Sequence, residues 1–264
     1  FVAFESWAHN LVNKDTNGVE DIFVHDRQTG ETTRVSVRTN GKQGDGHSQN
    51  PSVSSDGRYV AFQSSATNLV NGDTNGARDI FVHDRQTGET TRVSVRTNGK
   101  QGDLGSYSPS ISPDGRYVAF HSSATNLVNK DTNGVEDIFV HDRQTGETCR
   151  VSVRTNGKEG DGYSEYASIS SDGRYIAFYS DATNLVNGDT NGARDIFVHD
   201  RQTCETTRVS VRTNGKQGDD DSYEPSISPD GRFIAFFSDA TNLVNGDTNG
   251  APDVFVHDLS LIHI

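Results

Sequence analysis

The four residues Tyr117-Val118-Ala119-Phe120 decide how this chain is read, because they occur five times. They stand as Phe1-Val2-Ala3-Phe4, Tyr59-Val60-Ala61-Phe62, Tyr117-Val118-Ala119-Phe120, Tyr175-Ile176-Ala177-Phe178 and Phe233-Ile234-Ala235-Phe236, at a spacing of 58 residues with no insertion or deletion. A fixed period of this length marks a repeat architecture, in which one supersecondary unit is copied and stacked. Lys14 and Lys130, with Val19-Glu20 and Val135-Glu136, mark the first and third copies. Gly72 and Gly188, with Ala77-Arg78 and Ala193-Arg194, mark the second and fourth, so a two-copy unit was duplicated.

Each period reads as four short strands. In the second copy these are Pro51–Ser54, Tyr59–Gln63, Asp79–Asp84 and Thr90–Val95, rich in β-branched and aromatic residues and separated by turn signals. Ser55-Asp56-Gly57-Arg58 is a tight hairpin turn whose glycine supplies positive φ, and Arg85-Gln86-Thr87-Gly88 is a second turn. Helical spacing of apolar residues is absent. Ile80-Phe81-Val82 is apolar on both faces, as a strand is when sheets stack on either side of it. The fold class is therefore all-β, a β-propeller of four-stranded antiparallel blades. A β-solenoid has shorter coils, and separate β-domains need linkers. The strands number three in the first copy, four in each of the next three and three in the last, about four and a half blades, which suits an open arc of a larger ring or an imperfect five-bladed one. Residues 1–258 are expected to form this single propeller, with copies starting at 1, 59, 117, 175 and 233. The stretch 259–264 departs from the repeat and reads as foreign sequence.

The segment Ser110–Phe120, followed by Asp137–Asp142 and Thr145-Gly146, resembles the WD40-like repeat of TolB-type propellers, and every copy carries the likeness. The resemblance implies a bacterial, exported protein (periplasmic, cell-surface or extracellular) and an interaction role. It departs from the usual 40–45-residue repeat in length. The extra residues lie in two loops, Ser64–Arg78 within the blade and Arg96–Ser108 between blades.

Composition narrows the partners. The 264 residues carry 24 Lys+Arg against 37 Asp+Glu, a formal charge of −13, so nucleic acid, which needs a basic footprint, is excluded as a partner. Apolar content is 31% and mean hydropathy −0.69, low for a chain that buries a core. No apolar run approaches the length of a membrane span, so no membrane insertion is expected. Methionine is absent even at position 1, which reads as a fragment whose natural start lies elsewhere.

The loop between the second and third strands has the pattern [DN]-x-[DN]-x-[DN]-G-x-x-D. It places Asn13, Asp15, Asn17 and Asp21 in the first copy; Asn71, Asp73, Asn75 and Asp79 in the second; and Asn129, Asp131, Asn133 and Asp137 in the third. Asn187, Asp189, Asn191 and Asp195 follow in the fourth, and Asn245, Asp247, Asn249 and Asp253 in the fifth. Alternating oxygen donors around a glycine turn suit calcium, which takes six to eight hard ligands. The pattern is similar to the calcium loops of integrin-type propeller repeats and of dockerins, and it implies calcium as a weakly held, stabilising ion. A metal-free turn, with Asn and Asp bonding their own backbone, explains the same residues.

No catalyst is legible. There is no G-x-S-x-G and no H-E-x-x-H. Cys149 and Cys204 fall at non-equivalent places in neighbouring copies, so no disulfide is expected between them. Cys204 stands where other copies have Gly30, Gly88 and Gly146, so it is expected to strain its turn. His25, His83, His141, His199 and His257 share one place in the third strand and read as packed structural residues.

The copies differ most at Glu5, Gln63, His121, Tyr179 and Phe237, and in the loops between blades. On a rigid scaffold those places suit binding, and they single out His47, Tyr107, His121, Tyr163, Tyr166, Tyr179 and Tyr223 as a rim for a protein or glycan ligand. Drift on exposed loops predicts the same location. The sequence thus reads as a non-enzymatic interaction propeller, with two alternatives: an accessory propeller of a larger peptidase or glycan-active enzyme, and a purely structural array.

Overall fold

The computed structural model describes residues 1–261. It contains eighteen strands in five sheets, each sheet a meander of sequential neighbours. The first comprises β1 (Val2–Ser6), β2 (Asp21–His25) and β3 (Thr32–Arg34); the second β4 (Ser48–Val53), β5 (Tyr59–Ser64), β6 (Asp79–Asp84) and β7 (Glu89–Arg92). The third comprises β8 (Ser106–Ile111), β9 (Tyr117–Ser122), β10 (Asp137–Asp142) and β11 (Glu147–Arg150); the fourth β12 (Ser164–Ile169), β13 (Tyr175–Ser180), β14 (Asp195–Asp200) and β15 (Glu205–Arg208). The fifth comprises β16 (Ser222–Ile227), β17 (Phe233–Ser238) and β18 (Asp253–Asp258). The strand numbers per sheet are those expected from the repeat. Among the described residues no helix is long and apolar enough to cross a membrane.

The chain divides into two compact units, one of Phe1–Lys130 with Val140–Cys149, the other of Asp131–Phe139 with Arg150 onward. In the first, Ile22, Val24 and Val35 of the first sheet pack on Val60, Phe62 and Phe81 of the second, with Ala66 and Leu69 closing the edge. In the other unit, Ile196, Val198 and Val209 pack on Ile234, Phe236 and Leu243 in the same way. Sheet faces are thus covered by neighbouring sheets, which is why Ile80, Phe81 and Val82 are all fully buried. The apolar minority is concentrated there.

The hairpin turn between first and second strands also joins sheets. Ser54 Oγ donates to Asp56 (2.6 Å) and accepts from Tyr59 N (2.9 Å), and Gly57 turns with φ 70°. A Cβ on Gly115 at the equivalent place would lie 2.1 Å from the Tyr59 ring, so glycine is required by close approach as well as by φ. Ser55 N then donates to Pro113 O (3.0 Å), and the Arg143 guanidinium lies 4.3 Å from the Tyr59 ring centre.

Two strand boundaries differ from the sequence reading by three residues, and the others by one at most. The first strand begins three residues earlier, at Ser48 rather than Pro51, and it is bulged. The fourth ends at Arg92 rather than Val95, because Ser94 turns inward and Val95 bridges Gln101 across a tight turn closed by Arg96 N to Lys100 O (2.8 Å). Of the third-strand histidines, three are packed in the interior. His83, His141 and His199 each place Nδ1 2.9 Å from a threonine Oγ1 on the fourth strand, and burial pushes their pKa down to about 4, so they pack neutral. Of the expected foreign tail, Leu259–Leu261 form one 3-10 turn, with Leu259 N on Arg232 O (2.8 Å), and 262–264 lie outside the described residues.

Cys149 and Cys204 are not disulfide-bonded. Cys204 has φ 60°, at a turn where Gly88 and Gly146 have 74° and 77°. A side chain in that conformation costs about 1 kcal/mol. Cys204→Gly is therefore expected to raise stability by about 1 kcal/mol in urea unfolding, with no change in the slope.

Candidate functional site

Two sets of residues were singled out by the sequence, and the structure treats them differently. The insertion loops are tied by arginines. In the second copy Asn71 Oδ1 accepts from Arg38 Nη2 (2.5 Å). Asp73 Oδ1 and Asp79 Oδ2 both face Arg92 Nη1, at 3.4 and 3.3 Å, and Asn75 Oδ1 accepts from Ala77 N (3.0 Å). Asp79 also accepts from Ser94 Oγ (2.6 Å), and Asn75 Nδ2 donates to Asp79 (3.2 Å) and to Gly102 O (3.0 Å). The same arginine bridges Asp15 and Asp21 (Arg34, 3.0 and 3.2 Å), Asp131 and Asp137 (Arg150, 3.2 and 2.9 Å), and Asp189 and Asp195 (Arg208, both 3.1 Å). Asn129 and Asn187 accept from Arg96 and Arg154, as Asn245 does from Arg212. Asn17, Asn133 and Asn191 donate to the last aspartate of their loops at 2.9, 3.0 and 3.1 Å. In the fifth loop Asn249 donates to Asp253 (3.1 Å), and no arginine stands beside Asp247 or Asp253 among the described residues.

An ion needs these oxygens turned onto one point. In the first four loops a guanidinium bridges the two carboxylates; the oxygens of Asn71, Asn129 and Asn187 accept from arginine, and those of Asn17, Asn75, Asn133 and Asn191 from backbone N–H groups. Among the described residues no three His, Cys, Asp or Glu side chains group as metal ligands. Burial pushes the carboxyls of Asp73, Asp79, Asp137 and Asp189 above the usual range, against the pull of the arginines. As arranged, these four loops fit an arginine and present no open oxygen ring.

The second set lies on and beside the bulged first strands. Register shifts fall between Gln49 and Ser52, Tyr107 and Ser110, Glu165 and Ser168, and Tyr223 and Ser226. The bulge residues Asn50, Ser108, Tyr166 and Glu224 all have positive φ, at 52°, 47°, 51° and 49°. None is glycine, and none matches another. Strained non-glycine residues at bulges re-aim side chains and gather at functional sites. Sequence reading placed these residues in a loop and missed the bulge; a repeated X-Pro step (Asn50-Pro51, Ser108-Pro109, Glu224-Pro225) was its visible trace.

In the first unit, Glu5 Oε2 accepts from Asn50 N (2.7 Å) and Gln63 Oε1 from Ser108 N (2.9 Å), so the variable position of one sheet grips the bulge of the next. Tyr107 stacks on His121 (5.5 Å), and His47 lies 4.7 Å from Trp7 and accepts from Glu20 N (3.3 Å). In the other unit, Tyr166 stacks on buried Tyr179 (5.6 Å), whose hydroxyl donates to Glu165. Arg194 lies over both Tyr179 (4.8 Å) and Tyr223 (5.4 Å), held by Asp181 (3.0 Å). Tyr223 Oη is 3.1 Å from both Asp221 and Asp239. Burial and these carboxylates push both tyrosine hydroxyls up, so they remain donors. Tyr163 and Tyr166 are about half exposed, at 50% and 47%. Within this unit Tyr166 and Tyr223 therefore lie on one aromatic and acidic surface, joined through Arg194 and the buried Tyr179.

No protein-family model matches the chain. The Tol-Pal system protein TolB of Francisella tularensis subsp. tularensis is 26% identical over 226 residues, covering 80% of this chain and 43% of the relative. TolB from Acinetobacter baumannii superposes with a TM-score of 0.52 at 19% identity, over 91% of this chain and 47% of that one. The tricorn protease gives a TM-score of 0.54 at 13% identity, over 93% of this chain and 24% of that one. The chain spans less than half the length of the curated relatives it matches. The fold is that of a TolB-type β-propeller repeat protein.

The loops are expected to keep their form without an ion. Neither EDTA nor millimolar calcium should move the melting temperature of the full chain, whereas Arg92→Gln, which strands two buried carboxylates, should lose about 3 kcal/mol. A rise in melting temperature with calcium would show that the loops take the ion instead.

Proposed function

We propose that this chain is a non-enzymatic propeller that holds a protein partner on the bulged first strands and the loops beside them, in an exported bacterial protein. The observation that carries this reading is where the copies diverge. The frame repeats nearly unchanged, while the bulge residues and the position that grips them differ in every copy. A purely structural array has no need of strained tyrosine or glutamate at such a bulge. The likeness to TolB, a component of the Tol-Pal system, supports an interaction role and an exported location. Glu165, Asp181, Asp221, Glu224 and Asp239 around the tyrosines, with a net charge of −13, suit a partner with a basic surface.

The tricorn likeness keeps one alternative in view, an accessory propeller within a larger peptidase or glycan-active enzyme. The two readings share the same surface and differ in what the remaining protein does.

The test is an array of proteins and glycans probed with the full chain and with Tyr166→Ala/Tyr223→Ala. Protein ligands are expected to bind the parent, to weaken as salt rises, and to be lost by the variant at unchanged secondary structure and cooperative melting. Ligands retained by the variant would place the binding surface elsewhere, and glycan ligands alone would replace the protein reading.

A further inference from the structure

The loops repeat a reactive dipeptide, asparagine followed by glycine. The second copy has three such steps, Asn71-Gly72, Asn75-Gly76 and Asn98-Gly99, and the fourth has Asn187-Gly188, Asn191-Gly192 and Asn214-Gly215 at the equivalent places. Asparagine is a thermolabile residue, and a following glycine exposes it further, because the next backbone nitrogen has no Cβ beside it to obstruct attack on the side-chain carbonyl. Ring closure needs a glycine N–H that is not engaged elsewhere and a side-chain nitrogen free to leave. It is helped by a donor on the side-chain oxygen, where negative charge develops.

The three steps of each copy differ in these respects. At Asn98 the attacking nitrogen is engaged: Gly99 N donates to Arg96 O (2.7 Å), and Asn98 Oδ1 accepts from Lys100 N (3.1 Å). At Asn75 the leaving nitrogen is engaged: Nδ2 donates to Asp79 (3.2 Å) and to Gly102 O (3.0 Å). At Asn71 both are free. Asn71 and Gly72 are exposed, and neither Asn71 Nδ2 nor Gly72 N has a hydrogen-bond partner among the described residues. Asn71 Oδ1 alone is held, by Arg38 Nη2 at 2.5 Å. Gly72 has φ 71°, and a Cβ there would meet nothing within 4 Å. The fourth copy repeats the pattern. Gly215 N donates to Arg212 O (2.7 Å), Asn191 Nδ2 donates to Asp195 (3.1 Å) and Gly218 O (3.0 Å), and Asn187 is held only by Arg154 on its oxygen. The third copy has the same arginine contact without the glycine: Asn129 Oδ1 accepts from Arg96 Nη2 (2.5 Å), and Lys130 follows with φ 60°.

We propose that Asn71 and Asn187 are sites of spontaneous covalent modification, each converted through a succinimide into an aspartyl or iso-aspartyl residue beside its arginine. Gly72 N gives its proton to hydroxide and attacks Asn71 Cγ. The charge that gathers on Oδ1 is held by the Arg38 guanidinium. The Cγ–Nδ2 bond then breaks, and the nitrogen takes a proton and leaves as ammonia. Water adds to one of the two ring carbonyls and breaks its bond to the ring nitrogen, giving aspartate from the side-chain carbonyl and iso-aspartate from the main-chain carbonyl. One water is consumed and one ammonia released, with no change of oxidation state. Either product places a carboxylate where Arg38 met a neutral oxygen, so the contact becomes charge-assisted. Each event also makes the chain more acidic by one charge.

The test is to incubate the full chain in mildly alkaline heavy-oxygen water and to follow label at each asparagine by peptide mass spectrometry. Label is expected first at Asn71 and Asn187, about tenfold faster than at Asn75, Asn98, Asn191 and Asn214, and slowest at Asn129. In urea the three steps of the second copy should convert at similar rates, which shows that the fold sets the order. Arg38→Gln should slow Asn71 about tenfold and leave Asn187 unchanged, the second site reporting in the same chain that the fold is intact. Gly72→Lys, which copies the third loop, should silence Asn71. Label appearing first at Asn75 or Asn98, equal labelling of the three steps in the folded chain, or no label at any of them overturns the proposal. So does an Arg38→Gln chain in which Asn71 converts as fast as in the parent or faster.

Discussion

The structure depends on a buried aspartate at the head of the third strand in four of the five copies. Asp21, Asp79, Asp137 and Asp195 are fully buried, and a carboxylate taken out of water is costly unless it is paired and hydrogen-bonded. Each meets an arginine from the fourth strand, a serine hydroxyl from the segment after it, and an asparagine amide from the insertion loop. Three stretches distant in sequence are thereby held to one point. This explains how a chain with only 31% apolar residues supports long polar loops: the strands are held by stacked Ile, Val and Phe, the loops by a polar node.

That division sets which parts of the chain tolerate change. The stacked faces and the aspartate node repeat almost without variation. The first-strand bulge stands on this frame and carries asparagine, serine, tyrosine or glutamate in turn. Sites built on rigid strands hold their side chains more closely than sites on loops. The aromatic and acidic surface around Tyr166, Tyr179 and Tyr223 is held by Arg194, whose own position is fixed by Asp181.

Much of this was legible in the sequence. The 58-residue period, the number of strands in each sheet and the hairpin glycine follow from local pattern, which the repeat prints five times. The strained Cys204 was legible for the same reason, by comparison with Gly88 and Gly146. What was hidden depended on contacts through space. The bulge at Asn50 and Ser108 escaped because a proline follows each, and proline marked the start of the strand. The arginine bridge escaped because Asp-x-Asn-Gly-x-x-Asp is also a pattern for calcium, and nothing local brings Arg92 to Asp73 and Asp79. The arginine does recur thirteen residues after each of the four aspartates, and that regularity was its only signal.

The most direct test of this account is a double-mutant cycle between Asp79 and Arg92, measured by urea unfolding of Asp79→Asn, Arg92→Gln and the double variant. If the guanidinium is the partner of the buried carboxylate, the two losses are far from additive, with a coupling of about 2 kcal/mol. If the losses add, the pair is not coupled, and the loops are held by something other than this arginine.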